Sequence, residues 1–451
     1  MSTDPFAVLP ELTDAGQLIR IASEQDVMIT RRVRAVIDTP AFQRLKRISQ
    51  LGLVSHVYPG AVHSRFEHCL GVYRLALVVL SHLRNSQPEV IGELSADQIK
   101  VFLLAALLHD VGHWPFCHPI EDMRLPNVPR HEALARQLIC EGELQEVIEQ
   151  QWQVSAQSVA DFIAGPVASP GALALQNVLN GPVDIDKMDY LQRDSLHAGV
   201  PYGRNFDTAR LISSLRIGLD QSSMAITEKG KTAAEMLVFA RYVMFSEVYW
   251  HHAVRSATAM LQRLVFCVLG DSSEGQAESW LLLSDDEFAR AMLDHADDVW
   301  RPLAEGLFSN HRQLYKRFSQ YNFAENAQLH QALARRPYEQ LVSCSRLLAE
   351  RLSRRLARPL ADHDVLIDAP PVKLEVQFKL PVLCRSPDTE GVYRSVPLAD
   401  ISPVVRSLAT DQFDNFVKKV RVFINPTRRA ELNISTPELT DLLLEVTDSL
   451  G

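Results

Sequence analysis

The chain has 451 residues, 47% of them hydrophobic and 22% charged, which is enough apolar surface to bury a large core and excludes wholesale disorder. Its 46 basic and 55 acidic residues leave a net charge of −9, so nothing global draws a polyanion or an anionic membrane, and phosphate binding must be local. The six cysteines form no CxxC pair, the N-terminus is acidic, and the apolar runs from Leu75 to Leu80 and from Val101 to Leu108 fall short of the ~18 residues of a membrane span. A soluble, cytoplasmic protein with no membrane partner is expected.

From Asp14 to about Leu360, apolar residues recur three and four apart between short loops rich in Pro, Gly and Asn, which predicts a mainly α body. His63-Ser64-Arg65-Phe66-Glu67-His68 stands before one apolar helix. The next, around Val101 to Leu108, runs into His109-Asp110-Val111-Gly112-His113-Trp114-Pro115, where glycine and proline break the helix and leave polar groups at the edge of the core. Further on, Asp184-Ile185-Asp186-Lys187-Met188-Asp189-Tyr190 is dense in carboxylates, and Asp186, Tyr190 and Asp194 fall four apart on one helical face. Thr232 to Leu269 carries Met236, Leu237, Phe239, Val243 and Val248 without a proline, which predicts one long core helix.

After Pro359 the period changes to two: Val372, Leu374, Val376 and Phe378 alternate with charged and amide residues, and Val420, Val422 and Ile424 repeat the pattern. The expected organisation is a helical core over 1–270, a helical extension over 271–360 and a smaller α+β region over 361–451.

Imidazoles and carboxylates in this arrangement make a mixed N/O set that suits an octahedral divalent ion such as Mn, Fe, Mg or Ni, with zinc as an alternative. Such an ion polarises a phosphoryl oxygen and lowers the pKa of a bound water, the two tasks of phosphate-ester hydrolysis.

A distant His, an adjacent His-Asp pair and a later Asp resemble the signature of the HD-domain phosphohydrolases. The resemblance implies a helical HD core whose metal ligands are His68, His109, Asp110 and Asp186. It narrows to the deoxynucleoside triphosphate triphosphohydrolase branch over roughly Ile37 to Arg255. The match is clearest in Ile37-Asp38-Thr39-Pro40, Phe42-Gln43-Arg44-Leu45, Tyr58-Pro59-Gly60-Ala61, His109 to His118 and Asn180-Gly181 through Asp194. In that branch, water attacks the α-phosphorus of a dNTP and releases deoxynucleoside and intact triphosphate.

By resemblance, Arg65, His113, His118, His131 and Lys187 lie near the phosphates, and Gln50, Leu51, Tyr190 and Asp194 line the deoxyribose. His131 is favoured over His118 as the proton donor to the leaving group, with Glu132 beside it to hold its tautomer. His252 matches a site position, whereas Val248 stands where the vertebrate enzyme has a phosphate-binding arginine, and Arg255 one turn on is a candidate replacement. A guanine-reading regulatory site is matched by Asp38 and Gln43, but Lys46 stands where an arginine would be and lacks its planar fork.

The resemblance also implies a homo-oligomer, dimer or tetramer. Arg351, Arg354, Arg355 and Arg358 are either a solvated helix face or a contact for nucleic acid or a nucleotide. Two other readings stay open: an HD phosphohydrolase for another nucleotide or an oligonucleotide end, and a nucleotide-sensing protein with little turnover.

Overall fold

The computed structural model describes residues 6, 9–13, 16–23, 25–167, 169–269, 279–371, 379–386, 393–409 and 413–450. The predicted strand at 372–378 lies outside them. At the centre, α1 (Arg65–Ser86) packs against α2 (Ala96–Leu108), burying Leu70, Val72 and Leu80 against a helix in which Phe102, Leu104 and Leu108 are also fully buried. Ser95 starts α2 with a reciprocal cap: its hydroxyl accepts from the Gln98 N–H at 3.2 Å, and the Gln98 amide oxygen accepts from the Ser95 N–H at 2.8 Å. By length and composition α1 is apolar enough to cross a membrane, yet 61% of its most apolar stretch is buried inside the protein.

A short helix α3 (Cys117–Glu121) and α4 (His131–Cys140) follow the His109–Pro115 loop, and α5 (Ile185–His197) lies along α1. Asp184 caps α5 by accepting from the Lys187 N–H at 2.7 Å. The stretch expected as one helix from Thr232 to Leu269 is instead two, α6 (Lys231–Met244) and α7 (His252–Leu269). Between them a wide turn, Phe245–Tyr249, lets the Trp250 N–H reach back to the Phe245 carbonyl at 2.8 Å. Trp250 is pinned outside the helical path, because its indole N–H donates to the Lys419 carbonyl at 3.2 Å and the Arg255 guanidinium lies 4.0 Å over its ring. Apolar spacing continues through such a break and does not reveal it.

The body also holds strands that apolar spacing assigned to helix. β1 (Gln17–Ile21) and β2 (Gln25–Ile29) form a hairpin. β3 (Leu215–Ile217), β4 (Met224–Thr227), β7 (Pro381–Arg385) and β8 (Tyr393–Pro397) form one sheet in that order, with β4 and β7 parallel. β5 (Lys316–Tyr321), β9 (Val420–Ile424) and β6 (Val365–Asp368) form an antiparallel second sheet with β9 in the middle. Two helices, α8 (Tyr338–Ser353) and α9 (Thr436–Ser449), bury Leu348 and Leu443 with Val365 and Val422 of that sheet. The fold is thus mainly α with a smaller α+β region. Within the arginine run, Arg351 pairs with Glu445 and Arg355 with Glu438 at 3.4 Å, both on α9, while Arg358 pairs with Glu431 ahead of it at 3.9 Å.

Candidate active site

Four side chains from three helices converge at one point. His68 sits in the first turn of α1, His109 ends α2, Asp110 follows it, and Asp186 lies in the first turn of α5. His68 Nε2 is 3.0 Å from Asp186 Oδ1, 3.2 Å from His109 Nε2 and 3.9 Å from Asp110 Oδ2, while His109 Nε2 is 3.5 Å from Asp110 Oδ1. Neighbouring ligands of an ion bonded at ~2.1 Å stand about 3 Å apart, so this spacing fits a shared cation.

The tautomers agree. His68 Nδ1 faces Asp189 at 2.8 Å and His109 Nδ1 faces the Ala106 carbonyl at 3.0 Å, so each ring has its hydrogen on Nδ1 and turns a lone pair of Nε2 toward the other. Two facing lone pairs repel unless a cation lies between them. Burial pulls the His68 pKa down, but hydrogen bonds to Asp186 and Asp189 outweigh it and raise it to about 10, so with no metal ion in the pocket a proton on Nε2 takes the place of that cation. Burial pushes Asp110 up, yet His113, His109 and Arg65 hold it well below the usual carboxylate range. This is a pocket built for positive charge.

A cavity of ≈340 Å³ opens beside this point, lined by Gln50, Leu51, Arg65, His118, Tyr190, Asp194, Tyr249 and Arg255 among others. Backbone bonds from Gln50 N to the His63 carbonyl and from Arg65 N to the Ile48 carbonyl, each 2.9 Å, fold the Ile48–Leu51 stretch against the start of α1. That brings Gln50 and Leu51 opposite α5. Arg65 is buried and donates to Asp110 Oδ2 at 2.6 Å. Asp194 is held on both oxygens, Oδ1 by His63 Nε2 at 2.9 Å and Oδ2 by the Tyr249 hydroxyl at 2.6 Å.

Other expected residues lie elsewhere. Lys187 donates to Asp184 Oδ2 at 2.5 Å and to the Gly181 carbonyl at 3.1 Å and is not among the lining residues, because it completes the α5 cap. His252 is exposed against His251, at the start of α7, outside the cavity lining. Arg255 does line the cavity, but its fork is committed to Asp368 at 2.5 and 3.1 Å, so its charge is already balanced. Asp38 and Lys46 are exposed; Lys46 lies 4.6 Å over the Phe66 ring, and the Gln43 amide donates to the Ile37 carbonyl at 2.8 Å.

Three histidines cluster beyond Asp110. His113 Nδ1 is 3.2 Å from Asp110 Oδ1, and its ring lies 4.0 Å from that of His131 and 5.0 Å from that of His118. His118 lines the cavity with its side chain more than half exposed, and the surrounding protein, then the Arg65 and His131 charges, lower its pKa and keep it neutral at physiological pH. His131 stands behind it. The carboxylate that orients His131 is Glu121, at 2.9 and 3.0 Å from Nδ1, and not Glu132 at 3.6 Å. Successive residues on a helix do not face one another, whereas Glu121 reaches across from α3 and also accepts from the His131 N–H at 2.7 Å. Glu121→Gln is therefore expected to cut the turnover rate by about tenfold or more with metal content unchanged, and Glu132→Gln to leave it within about twofold, as measured on metal-loaded protein.

Sequence reasoning passed over Asp189, Arg193, Glu67, His63 and Tyr249. For Asp189 and Arg193 a signal existed, an acid four residues before a base on one helix.

A family model described as HD domain matches residues 65–194, and one described as HD associated region matches residues 206–442. An uncharacterized protein YwfO of Bacillus subtilis is 36% identical over 231 residues, 51% of this chain and 50% of that protein. The deoxynucleoside triphosphate triphosphohydrolase SAMHD1 of Homo sapiens is 31% identical over 247 residues, 48% of this chain and 39% of that protein. The chain thus spans half or less of the length of these relatives. Among solved structures, a hypothetical protein from Aquifex aeolicus superposes with a TM-score of 0.69 at 24% identity, covering 95% of this chain and 99% of that one. A phosphohydrolase from Bacteroides thetaiotaomicron gives 0.67 at 22% identity, covering 91% and 100%. Residues 65–194 run from Arg65 to Asp194 and contain the whole converging cluster, and the associated region takes up more than half of the chain: the protein belongs to the HD-domain family.

Proposed function

We propose that the protein is a divalent-metal-dependent phosphohydrolase that cleaves deoxynucleoside triphosphates into deoxynucleoside and triphosphate. The observation that carries this reading is the run of Asp186, Tyr190 and Asp194 along one face of α5, which joins the cation pocket to a cavity of nucleotide size. The names of the SAMHD1 relatives support the same substrate class.

His68, His109, Asp110 and Asp186 would hold the ion, which when bound polarises a phosphoryl oxygen and lowers the pKa of a bound water. Arg65, fixed by Asp110, offers a guanidinium to phosphate oxygens in a water-poor site. His118 presents a neutral imidazole to the same space, with His131 and Glu121 behind it as a place to hold the proton for the departing 5′-oxygen. Two turns away, Asp194 accepts a sugar hydroxyl while His63 and Tyr249 keep it in place. A homo-oligomer of cytoplasmic location belongs to this reading.

The test incubates the purified protein with each dNTP, singly and mixed, with Mn or Mg, with and without GTP, and separates the products by ion exchange. Deoxynucleoside with intact triphosphate is expected. Monophosphate with pyrophosphate moves the protein to another HD phosphohydrolase reaction, and no cleavage by metal-loaded protein overturns the substrate class. Dependence on GTP decides whether Asp38, Gln43 and Lys46 form an activator site.

A further inference from the structure

Behind the cavity, a continuous run of polar side chains links its two ends. From the cation end, His68 Nδ1 meets Asp189 Oδ2 at 2.8 Å. Arg193, one turn on, grips the same carboxylate as a fork, Nε to Oδ2 at 2.9 Å and Nη2 to Oδ1 at 2.7 Å. Its remaining arm, Nη1, donates to Glu67 Oε1 at 2.8 Å, and Glu67 Oε2 stands 3.5 Å from His197 Nε2. His197 stacks on His63 at 4.3 Å and 15°, and His63 Nε2 meets Asp194 Oδ1 at 2.9 Å. The run starts at an imidazole of the cation pocket and ends at the carboxylate of the sugar end, passing between α1 and α5 three times before it reaches His63, just ahead of α1.

Arg193 is its hub. It is 5% exposed, and a fork plus a third contact is a task that an ammonium cannot perform. A second cavity of ≈270 Å³, lined by Met188, Asp189, Gln192 and Arg193, lies against the pair. Side-chain packing on that flank therefore does not fix the Asp189–Arg193 pair, and its hydrogen bonds do. The sequence leaves room for it: a Cβ at Gly71 of α1 would stand 2.0 Å from Asp189 Oδ1 and 2.4 Å from Arg193 Nη2.

We propose that Arg193 is a positioning residue on which the cation end and the sugar end of the cavity both depend. The sugar half rests on the function proposed above; the cation half does not. The experiment compares wild-type protein with Arg193→Met, Arg193→Lys, Gly71→Ala and His63→Ala, using Mn²⁺ binding isotherms and the ratio of kcat/KM for a dNTP over the matching ribonucleotide, with folding checked by thermal melts.

Arg193→Met is expected to weaken Mn²⁺ binding by about tenfold to a hundredfold and to lower the sugar ratio. Arg193→Lys should restore part of both, Gly71→Ala should act in the same direction with every charge kept, and His63→Ala should change the sugar ratio alone. Wild-type Mn²⁺ affinity in folded Arg193→Met or Arg193→Lys protein overturns the proposal. An affinity loss with an unchanged sugar ratio overturns the link between the two ends. Should Arg193→Met not fold, Arg193→Lys and Gly71→Ala decide by the same readouts. If wild-type protein cleaves no nucleotide, the substrate reading falls and the Mn²⁺ isotherms alone decide the cation half.

Discussion

Asp110→Asn is expected to leave a folded protein that retains no metal and hydrolyses its substrate about a thousandfold more slowly, some ~4 kcal/mol of barrier. The carboxylate lies 3.5 Å from His109 Nε2 and 3.9 Å from His68 Nε2, so it faces the point where the ligands converge. The amide is isosteric but uncharged, and its carbonyl still accepts from Arg65. Asp110→Ala is the less informative change, because it strands the Arg65 guanidinium, which is 4% exposed, at a cost of about 3–5 kcal/mol. Metal analysis by mass spectrometry alongside the triphosphate assay separates the two effects. Full wild-type turnover in metal-free Asp110→Asn would sink the metal mechanism.

Gly112→Ala is expected to be the most damaging single-methyl change near the site. A Cβ there would stand 2.1 Å from the His131 carbonyl, 2.4 Å from Ala135 N and 2.7 Å from its Cα. All three are backbone atoms, so no side chain can swing aside, and α4 itself must move. The cost in stability is about 2–3 kcal/mol, seen as a lower Tm. Activity should fall further than stability, since moving α4 separates His131 from Glu121 and from the His113 ring. A variant with wild-type Tm and turnover would show that α4 is free to shift.

The segments that bear the cation pocket stood out as polar runs at a helix start, a helix end and another helix start, but the choice of His68, His109, Asp110 and Asp186 within them came from the resemblance to the HD-domain phosphohydrolases. Glu121 was not legible, since it lies ten residues before His131 and meets it only after α3 and α4 fold together. Adjacency in sequence pointed to Glu132, which the helix turns aside. Lys187 was read as a phosphate contact, whereas cap geometry ties it to Asp184. The period-two signal at Val420–Ile424 gave a strand, but its partner β5 lies about a hundred residues earlier, a pairing that no local pattern encodes. The α6–α7 break was hidden because apolar spacing survives a wide turn, and that turn is what carries Tyr249 to Asp194.

The parallel pairing of β4 with β7 bears on how this chain can be divided. Ile226 aligns with Val382 and Thr227 with Leu383, so a strand from beyond residue 380 is hydrogen-bonded to one near the start of the associated region. The same late segment supplies Pro371 and Lys418 to the cavity wall and the Lys419 carbonyl that anchors Trp250. Cutting the gene before residue 380 would leave β4 with an open edge, and cutting it at the HD boundary would take away both strands and most of one cavity wall, so neither cut leaves an intact chamber.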